Sequence, residues 1–479
     1  MKDIQSRSSK RSISGAVLLI GQNLILNMIS VPVSAIIIRS LGADNYGTWS
    51  SSVAVISTVS CLANPGLGIF FSRLIAQKKQ NPSLLTSEQL GLRTFLSLIA
   101  SFIVISIAIF LHYPIDFLFC LCFSVIGLIL TTISSTLLDV LQALGHIKLY
   151  SMIAFASGVV LNIMTLISAL YCKGSVSMSV AYLSGPIVQC LTLWYMVNRK
   201  LFPIRFIFNF NRFILILKEA RVVAGKQLLL SAQSKIEQLI LPKISGMANS
   251  GYFSAGQLPA NRLGILPEGL CTSMYSRIAS SESEDNNEIL SQIQCLILLC
   301  LSVCMPMTIW IFFFANPIAH ILFPSDPAAC TMVIQITIWS LAIQSLQMPM
   351  GYSMEALGKA NVVAKYTVAA ALIGGILSFL FTWKFGLLGA CIGWLIRSLV
   401  QLVFIAPSFI RMYKDNIIFL KILFVVISSS AIILPFYISE LFIKWDFGAM
   451  IIGLLLSFII YVSLLFLFKV FKIKDLPFL

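Results

Sequence analysis

Little of this sequence is charged. Asp, Glu, Lys and Arg make up 11% of its 479 residues, where soluble domains carry about 25%. A large water-soluble core is thereby excluded and a polytopic membrane protein is expected. Histidine is sparse: His112, His146 and His320 lie far apart, and no His or Cys cluster has metal-ligand spacing, so neither a metal nor a cofactor is expected. No Asp-X-Asp occurs, and the longest expected external loop runs only from about Ala315 to Ala328. That argues against a membrane polymerase or glycosyltransferase, and the chain is not expected to be an enzyme. The 11 cysteines are scattered, most within apolar runs, and read as small buried hydrophobes rather than disulfides. A cleavable leader is not expected either, because the first apolar run, Ile13 to Ile38, is too long for one.

What the chain has in abundance is apolar runs of spanning length. Fourteen candidate spans (12 to 14 by a hydropathy window) fall at 13–38, 46–72, 91–111, 117–142, 150–172, 177–197, 222–243, 251–276, 289–314, 329–357, 361–383, 386–410, 419–439 and 447–468. The expected fold class is all-α. Its parts are a cytoplasmic N-terminus (1–12), a lobe of six helices (13–197), an interlobe loop (198–221), a second six-helix lobe (222–410), and two appended helices with a tail (411–479). The net charge of +15 invites a nucleic-acid reading, but its distribution follows the positive-inside rule. With both termini cytoplasmic, only Arg39, Lys173, Lys243, Lys384 and Lys444 fall outside, while Arg199, Lys200, Arg205, Arg212, Lys218 and Arg221 crowd the interlobe loop. No nucleic-acid partner is expected. The bilayer is.

The sequence also repeats. At an offset of 204 residues, Gly21 falls on Gly225, Arg39 on Lys243, Gly42 on Gly246, Asn45 on Asn249, Gly47 on Gly251, Ser50 on Ser254, Ser72 on Ser276 and Arg73 on Arg277. A second match sets Ala143, Leu144 and Gly145 on Ala356, Leu357 and Gly358. Both relate spans six apart, as in transporters that rock one half against the other around a central site.

Within the spans, seven ionisable side chains stand out: Lys226, Lys235, Arg262 and Arg397 against Glu237, Glu268 and Asp139. A charge at bilayer depth costs at least a few kcal/mol, so it normally faces a wet cavity and serves a ligand or ion. A surplus of cations points to anionic cargo. Asn23 and Asn27 share a face of span one with Ser30 and Ser34, Asn64 interrupts span two, and Gln233 accompanies Lys226 and Glu237 on one angle of span seven, with Lys235 opposite. Asn261 shares a face of span eight with Glu268, and Gln401 one of span twelve with Gly386, Gly393 and Arg397. The carboxylates Glu237, Glu268 and Asp139 are candidates for ion coupling or charge pairing, with pairing favoured for Asp139. The competing reading of the serines is helix–helix packing, and that of span seven is a surface amphipathic helix.

The stretch from Arg39 to Trp49 (RSLGADNYGTW), followed by Asn64-Pro-Gly-Leu-Gly and Ser72-Arg73, resembles the start of bacterial polysaccharide repeat-unit flippases. Ala143-Leu-Gly-His and Ala356-Leu-Gly-Lys resemble the loops after that family's fourth and tenth helices. The resemblance implies the Wzx-type (O-antigen) branch of the multidrug/oligosaccharidyl-lipid/polysaccharide exporter superfamily, in the bacterial inner membrane. It implies undecaprenyl-diphosphate-linked oligosaccharide as cargo, moved from the cytoplasmic to the periplasmic leaflet by alternating access through a cationic cavity. Proton or sodium coupling through Glu237 or Glu268, and a polysaccharide polymerase and chain-length regulator as partners, are further candidates. The alternatives are a cation-coupled multidrug antiporter and a flippase for lipid-linked peptidoglycan precursor. The first would favour carboxylates in the cavity, which the cation surplus opposes.

Overall fold

The structure, a computed structural model, describes residues 2–64, 67, 68, 71, 81–210, 213, 214, 216, 229–231, 233–280, 286–413, 417–431 and 456–464. Among these, all regular structure is helical, and eight segments are long and apolar enough to cross a membrane. The expected fold class stands. Much of spans seven, thirteen and fourteen, with Lys226, lies outside the described residues.

The chain divides into two compact units, one of residues 1–254 with 321–323 and one of 255–320 with 324–479. In the first unit, α1 (Lys2–Ala63) changes direction at Gly42 (φ 72, ψ 176), so that one continuous element supplies spans one and two. Only glycine adopts such a backbone without strain. Helices α2 (Pro82–Phe110), α3 (Ile115–Ala143) and α4 (Ile147–Tyr171) follow, then α5 (Ser175–Tyr182) continued by α6 (Ser184–Lys200). Short turns join them, and an apolar cluster of Leu90, Leu137, Leu141, Ile153, Leu193, Val197 and Ile204 binds four of these segments at one end. Helix α2 begins nine residues before the expected span. Asn81 caps it by accepting from the Ser83 N–H, and Pro82 occupies its first turn, the usual start signal. The consequence is that Glu88 and Gln89 are buried within α2, along with Arg93, rather than solvated before it.

Span seven is not one continuous helix. A turn at Lys235 (φ −125, ψ 12) precedes α7 (Ile236–Ser245), which ends at Gly246 (φ 88, ψ 169) before α8 (Met247–Gly256). The angular grouping of Gln233 with Glu237 presumed an unbroken helix and does not survive this turn. The sequence repeat, by contrast, is visible in the backbone. Gly42 and Gly246 share one positive-φ conformation, as do Gly145 (φ 79) and Gly358 (φ 74).

The repeat also governs how α1 meets α8. A β-carbon on Gly47 would lie 1.9 Å from the Met247 carbonyl oxygen, and one on Gly251 would lie 2.1 Å from that of Ala43. The 204-residue offset exchanges these two contacts. Between them, Ser50 Oγ donates to Ser254 Oγ at 3.2 Å. A residue bonded to its own repeat mate lies on the local two-fold axis relating them.

In the second unit, α9 (Leu258–Leu263), α10 (Ile265–Ser280), α11 (Asn286–Phe313) and α12 (Ala315–Leu322, its last two residues grouped with the first unit) precede α13 (Pro327–Thr337) and α14 (Trp339–Ala356). The 54-residue α15 (Ala360–Tyr413) bends at Gly386 (φ 58, ψ −128), so it supplies spans eleven and twelve, and α16 (Ile417–Ser430) packs beside α11 through Val425, Leu298 and Leu301. The helical run 456–464 docks on α11, where Tyr461 Oη donates to the Ser302 carbonyl at 2.8 Å and Trp310 Nε1 to Ser457 Oγ at 3.0 Å.

Candidate functional site

In the first unit the most concentrated polar site was not anticipated. Arg93 is wholly buried on α2, and its Nη1 donates to Asp139 Oδ2 and Thr136 Oγ1 on α3, both at 2.9 Å. Its Nε donates to Asn64 Oδ1 at 3.2 Å, and Gln89 Nε2 reaches Asp139 at 3.5 Å. Gly68 leaves room for the pair, since a β-carbon there would sit 2.6 Å from Asp139 Oδ2. Such a pair is held together because burying either charge alone costs several kcal/mol. Asp139 thus has a basic partner, as charge pairing requires. Asn64, a candidate for cargo, spends its side-chain oxygen on Arg93 and on the Gly68 N–H. The missed signal was the Asn-Pro helix start, which carries the helix on beyond Arg93, so that Arg93 sits well inside it rather than at its end.

On α1, Asn23 is helical, with its side chain outside the described residues, and Asn27 is half-buried. Their serine neighbours turn inward on their own helix: Ser30 Oγ donates to the Asn27 carbonyl and Ser34 Oγ to that of Ser30. Gln22, which the sequence reading passed over, is buried and accepts from Ser151 on α4. Further along, Gln233 and Lys235 are half-buried and Glu237 is buried. Gln238 Nε2 contacts Ser254 Oγ at 3.4 Å and so joins the axial pair.

In the second unit, Arg397 is only 8% exposed within an apolar helix. Its guanidinium carbon lies 4.5 Å from the centroid of the Trp394 ring, a cation–π contact. Gly374 accommodates its stem, because a β-carbon at Gly374 would lie 3.2 Å from Arg397 Cγ, and one at Gly393 would lie 2.5 Å from Ser378 Oγ. The expected glycine–arginine face therefore packs partly on the preceding half of α15. Trp394 is itself fixed by donating to Ser340 Oγ at 3.0 Å. Arg262 is half-buried on α9, whose Ala260 and Leu263 pack on Ile338 and Leu341. Both arginines are thus carried by segments braced on the first turn of α14. Gln401 is half-buried one turn beyond Arg397, and Asn261 and Glu268 are exposed. No group of three or more His, Cys, Asp or Glu able to hold a metal occurs among the described residues.

Comparison with known proteins bears on what such a chain does. A profile described as "Polysaccharide biosynthesis protein" matches residues 36–331. A putative O-antigen transporter of Shigella flexneri is 23% identical over 177 residues, spanning 37% of this chain and 42% of that protein, so under half of the relative's length is matched. Among solved structures, the lipid II flippase MurJ in an inward closed conformation superposes with a TM-score of 0.73 at 14% identity, covering 95% of this chain and 99% of that one. An inward-facing multidrug resistance MATE family transporter of the MOP superfamily gives 0.63 at 15% identity, covering 84% and 99%. At such identities the likeness is one of fold.

Proposed function

The chain belongs to the polysaccharide biosynthesis protein family, and from that premise we propose that it is a flippase for undecaprenyl-diphosphate-linked oligosaccharide units of a surface polysaccharide such as O-antigen. The units pass from the cytoplasmic to the periplasmic leaflet of the bacterial inner membrane. In this reading residues 13–197 and 222–410 are two six-helix lobes that alternate access to a cationic cavity, helices 13 and 14 are appended, and both termini are cytoplasmic. Lys226, Lys235, Arg262 and Arg397 take over the hydration of the diphosphate, while Asn23, Asn27, Asn64, Gln233, Asn261 and Gln401 hydrogen-bond the sugars. The lipid tail stays in the bilayer.

The observation that carries the reading is Arg397. An arginine retained in an apolar span, 8% exposed, is costly unless function keeps it there. Its placement over Trp394 fixes a planar fork suited to phosphate oxygens. Outward movement of about two negative charges across an inside-negative membrane is favoured by about 2.3 kcal/mol per charge per 100 mV, so voltage assists the step. Glu237 and Glu268 are the candidates for proton or sodium coupling, and a polymerase and chain-length regulator would receive the product.

The test is a liposome flipping assay with labelled polyprenyl-diphosphate sugar, with lipid-linked peptidoglycan precursor and a cationic drug as rival cargoes. Wild type moves the sugar-linked lipid, and Arg397→Glu or Lys235→Glu abolishes movement. Absence of wild-type transport, or preference for either rival cargo, overturns the assignment.

A further inference from the structure

The segment after α6 does not simply leave the helix bundle. It folds back as an extended strap across the start of α2, pinned over two turns. Ser83 Oγ donates to the Pro203 carbonyl at 2.6 Å, the Arg205 N–H donates to Ser87 Oγ at 3.2 Å, and the Ile207 N–H donates to the Ser87 carbonyl at 3.4 Å. At the far end the contact is backbone on backbone, because a β-carbon on Gly91 would lie 2.0 Å from the Ile207 carbonyl oxygen. Asn198 Oδ1 accepts from the Ile204 N–H at 3.2 Å and sets the exit angle from α6. Ile204 and Phe213 are buried at either end of the strap. A chain fixed this way holds its outward side chains in place.

Those side chains are of two kinds. Phe206, Phe208 and Phe210 are 43%, 50% and 55% exposed, with Phe206 stacked on Trp194 and Phe210 edge-on to Phe95. Beside them Arg199, Lys200 and Arg205 are exposed, Arg199 lying 5.7 Å from the centroid of the Tyr195 ring. Lys148 is exposed at the neighbouring start of α4, whose Leu149 packs in the same cluster as Val197 and Ile204. No acidic residue occurs between Asp139 and Glu219. Phenylalanines alone would suit lipid tails, and cations alone would suit water. Interleaved at the ends of spanning helices, they match the depth where acyl chains meet phosphates.

We infer that the strap at residues 201–210, together with the last turn of α6, is a binding surface for anionic phospholipid headgroups, with Arg199, Lys200 and Arg205 meeting the phosphates and the three phenylalanines entering the acyl boundary. The partner is bulk anionic lipid of the adjoining leaflet, not the transported cargo. It anchors this end of the first unit at a fixed depth.

The experiment uses the full chain in detergent, titrated with soluble dihexanoyl-phosphatidylglycerol and, separately, dihexanoyl-phosphatidylcholine. At about 1 kcal/mol per basic residue near an anionic surface, each charge removed weakens phosphatidylglycerol binding about fivefold. The Arg199→Gln, Lys200→Gln and Arg205→Gln variants lose affinity stepwise, phosphatidylcholine binding is unchanged, and Arg39→Gln with Lys173→Gln, at the opposite helix ends, leaves both as in wild type. Gel-filtration profiles and melting temperatures matching wild type show that the variants are folded. Equal phosphatidylglycerol affinity in the triple variant overturns the inference. A larger loss for a soluble short-chain prenyl diphosphate than for phosphatidylglycerol also overturns it, by making the strap a cargo port. Binding is read without transport, so failure of the flippase assignment leaves this result standing.

Discussion

The sharpest structural test lies at the α1–α8 contact. Alanine at Gly47 puts a methyl group 1.9 Å from the Met247 carbonyl oxygen, where a carbon–oxygen contact settles near about 3.3 Å. One backbone must therefore retreat by about 1.4 Å. The obstacle is a carbonyl on a helix rather than a flexible side chain, so the cost falls toward the upper part of the ~1–3 kcal/mol range for overpacking. Replacing a helical glycine returns about 0.5–1 kcal/mol, leaving a net loss of about 2 kcal/mol. Gly251→Ala meets the mirror contact and should lose a similar amount. Because both push the same two backbones apart, the double variant should lose clearly less than the sum. Gly269→Ala, with nothing within 4 Å of its β-carbon, is the control and should be neutral or slightly stabilised. Thermal melting of the purified protein, followed by tryptophan fluorescence, reads all four. A Gly47→Ala protein that melts with wild type, or strictly additive losses in the double variant, would refute the two-fold contact.

Other outcomes follow from single interactions. Arg93→Leu leaves Asp139 without its 2.9 Å partner and should cost about 3–5 kcal/mol; adding Asp139→Asn should recover part of the loss, and equal melting of single and double variants would count against the pair. Tyr461→Phe removes the hydrogen bond to Ser302 and should lower stability by about 1 kcal/mol, whereas no change in the melt would mean that helical run contributes nothing to the fold. Cys172 is exposed at a helix end while nine of the 11 cysteines are buried, so a membrane-impermeant maleimide applied to intact cells should label Cys172. Labelling only in inverted vesicles would reverse the orientation.

What could be read from the chain beforehand depended on whether one residue carried the information. Gly42 and Gly246 were legible as a repeat because a positive φ demands glycine at each place independently. The turn at Lys235 carried a weaker local mark, whereas the bend at Gly386 falls at the expected break between spans eleven and twelve. The Arg93–Asp139 pair was not legible as a pair. Each half looked like a separate charge near a helix end, and only packing of α2 on α3 makes them partners. Hydropathy weights the apolar centre of a span, so the capped start at Asn81 and Pro82, with its buried Glu88 and Gln89, was trimmed away.

The same distinction tells which polar stripes can report a pathway. Ser30, Ser34, Ser57 and Ser60 all donate to carbonyls three or four residues back on their own helix, as does Thr58. A hydroxyl satisfied in this way needs no cavity, so a serine stripe is compatible with tight packing or plain lipid contact. Amides, ammonium and guanidinium groups are not fully satisfied so locally: Asn45, Asn162 and Asn249 each turn one amide hydrogen to a carbonyl four residues back, but such groups carry several donors, and the rest reach other elements, as Gln22 reaches Ser151 and Arg93 reaches three partners. Substituting the serines to alanine should therefore leave both stability and transport near wild type. Substituting Asn27, Lys235, Arg262 or Arg397 should change transport more than melting temperature. If the serine variants were the ones to lose transport, the hydroxyls would be facing cargo, and the case for a pathway defined by fixed cations and amides would fail.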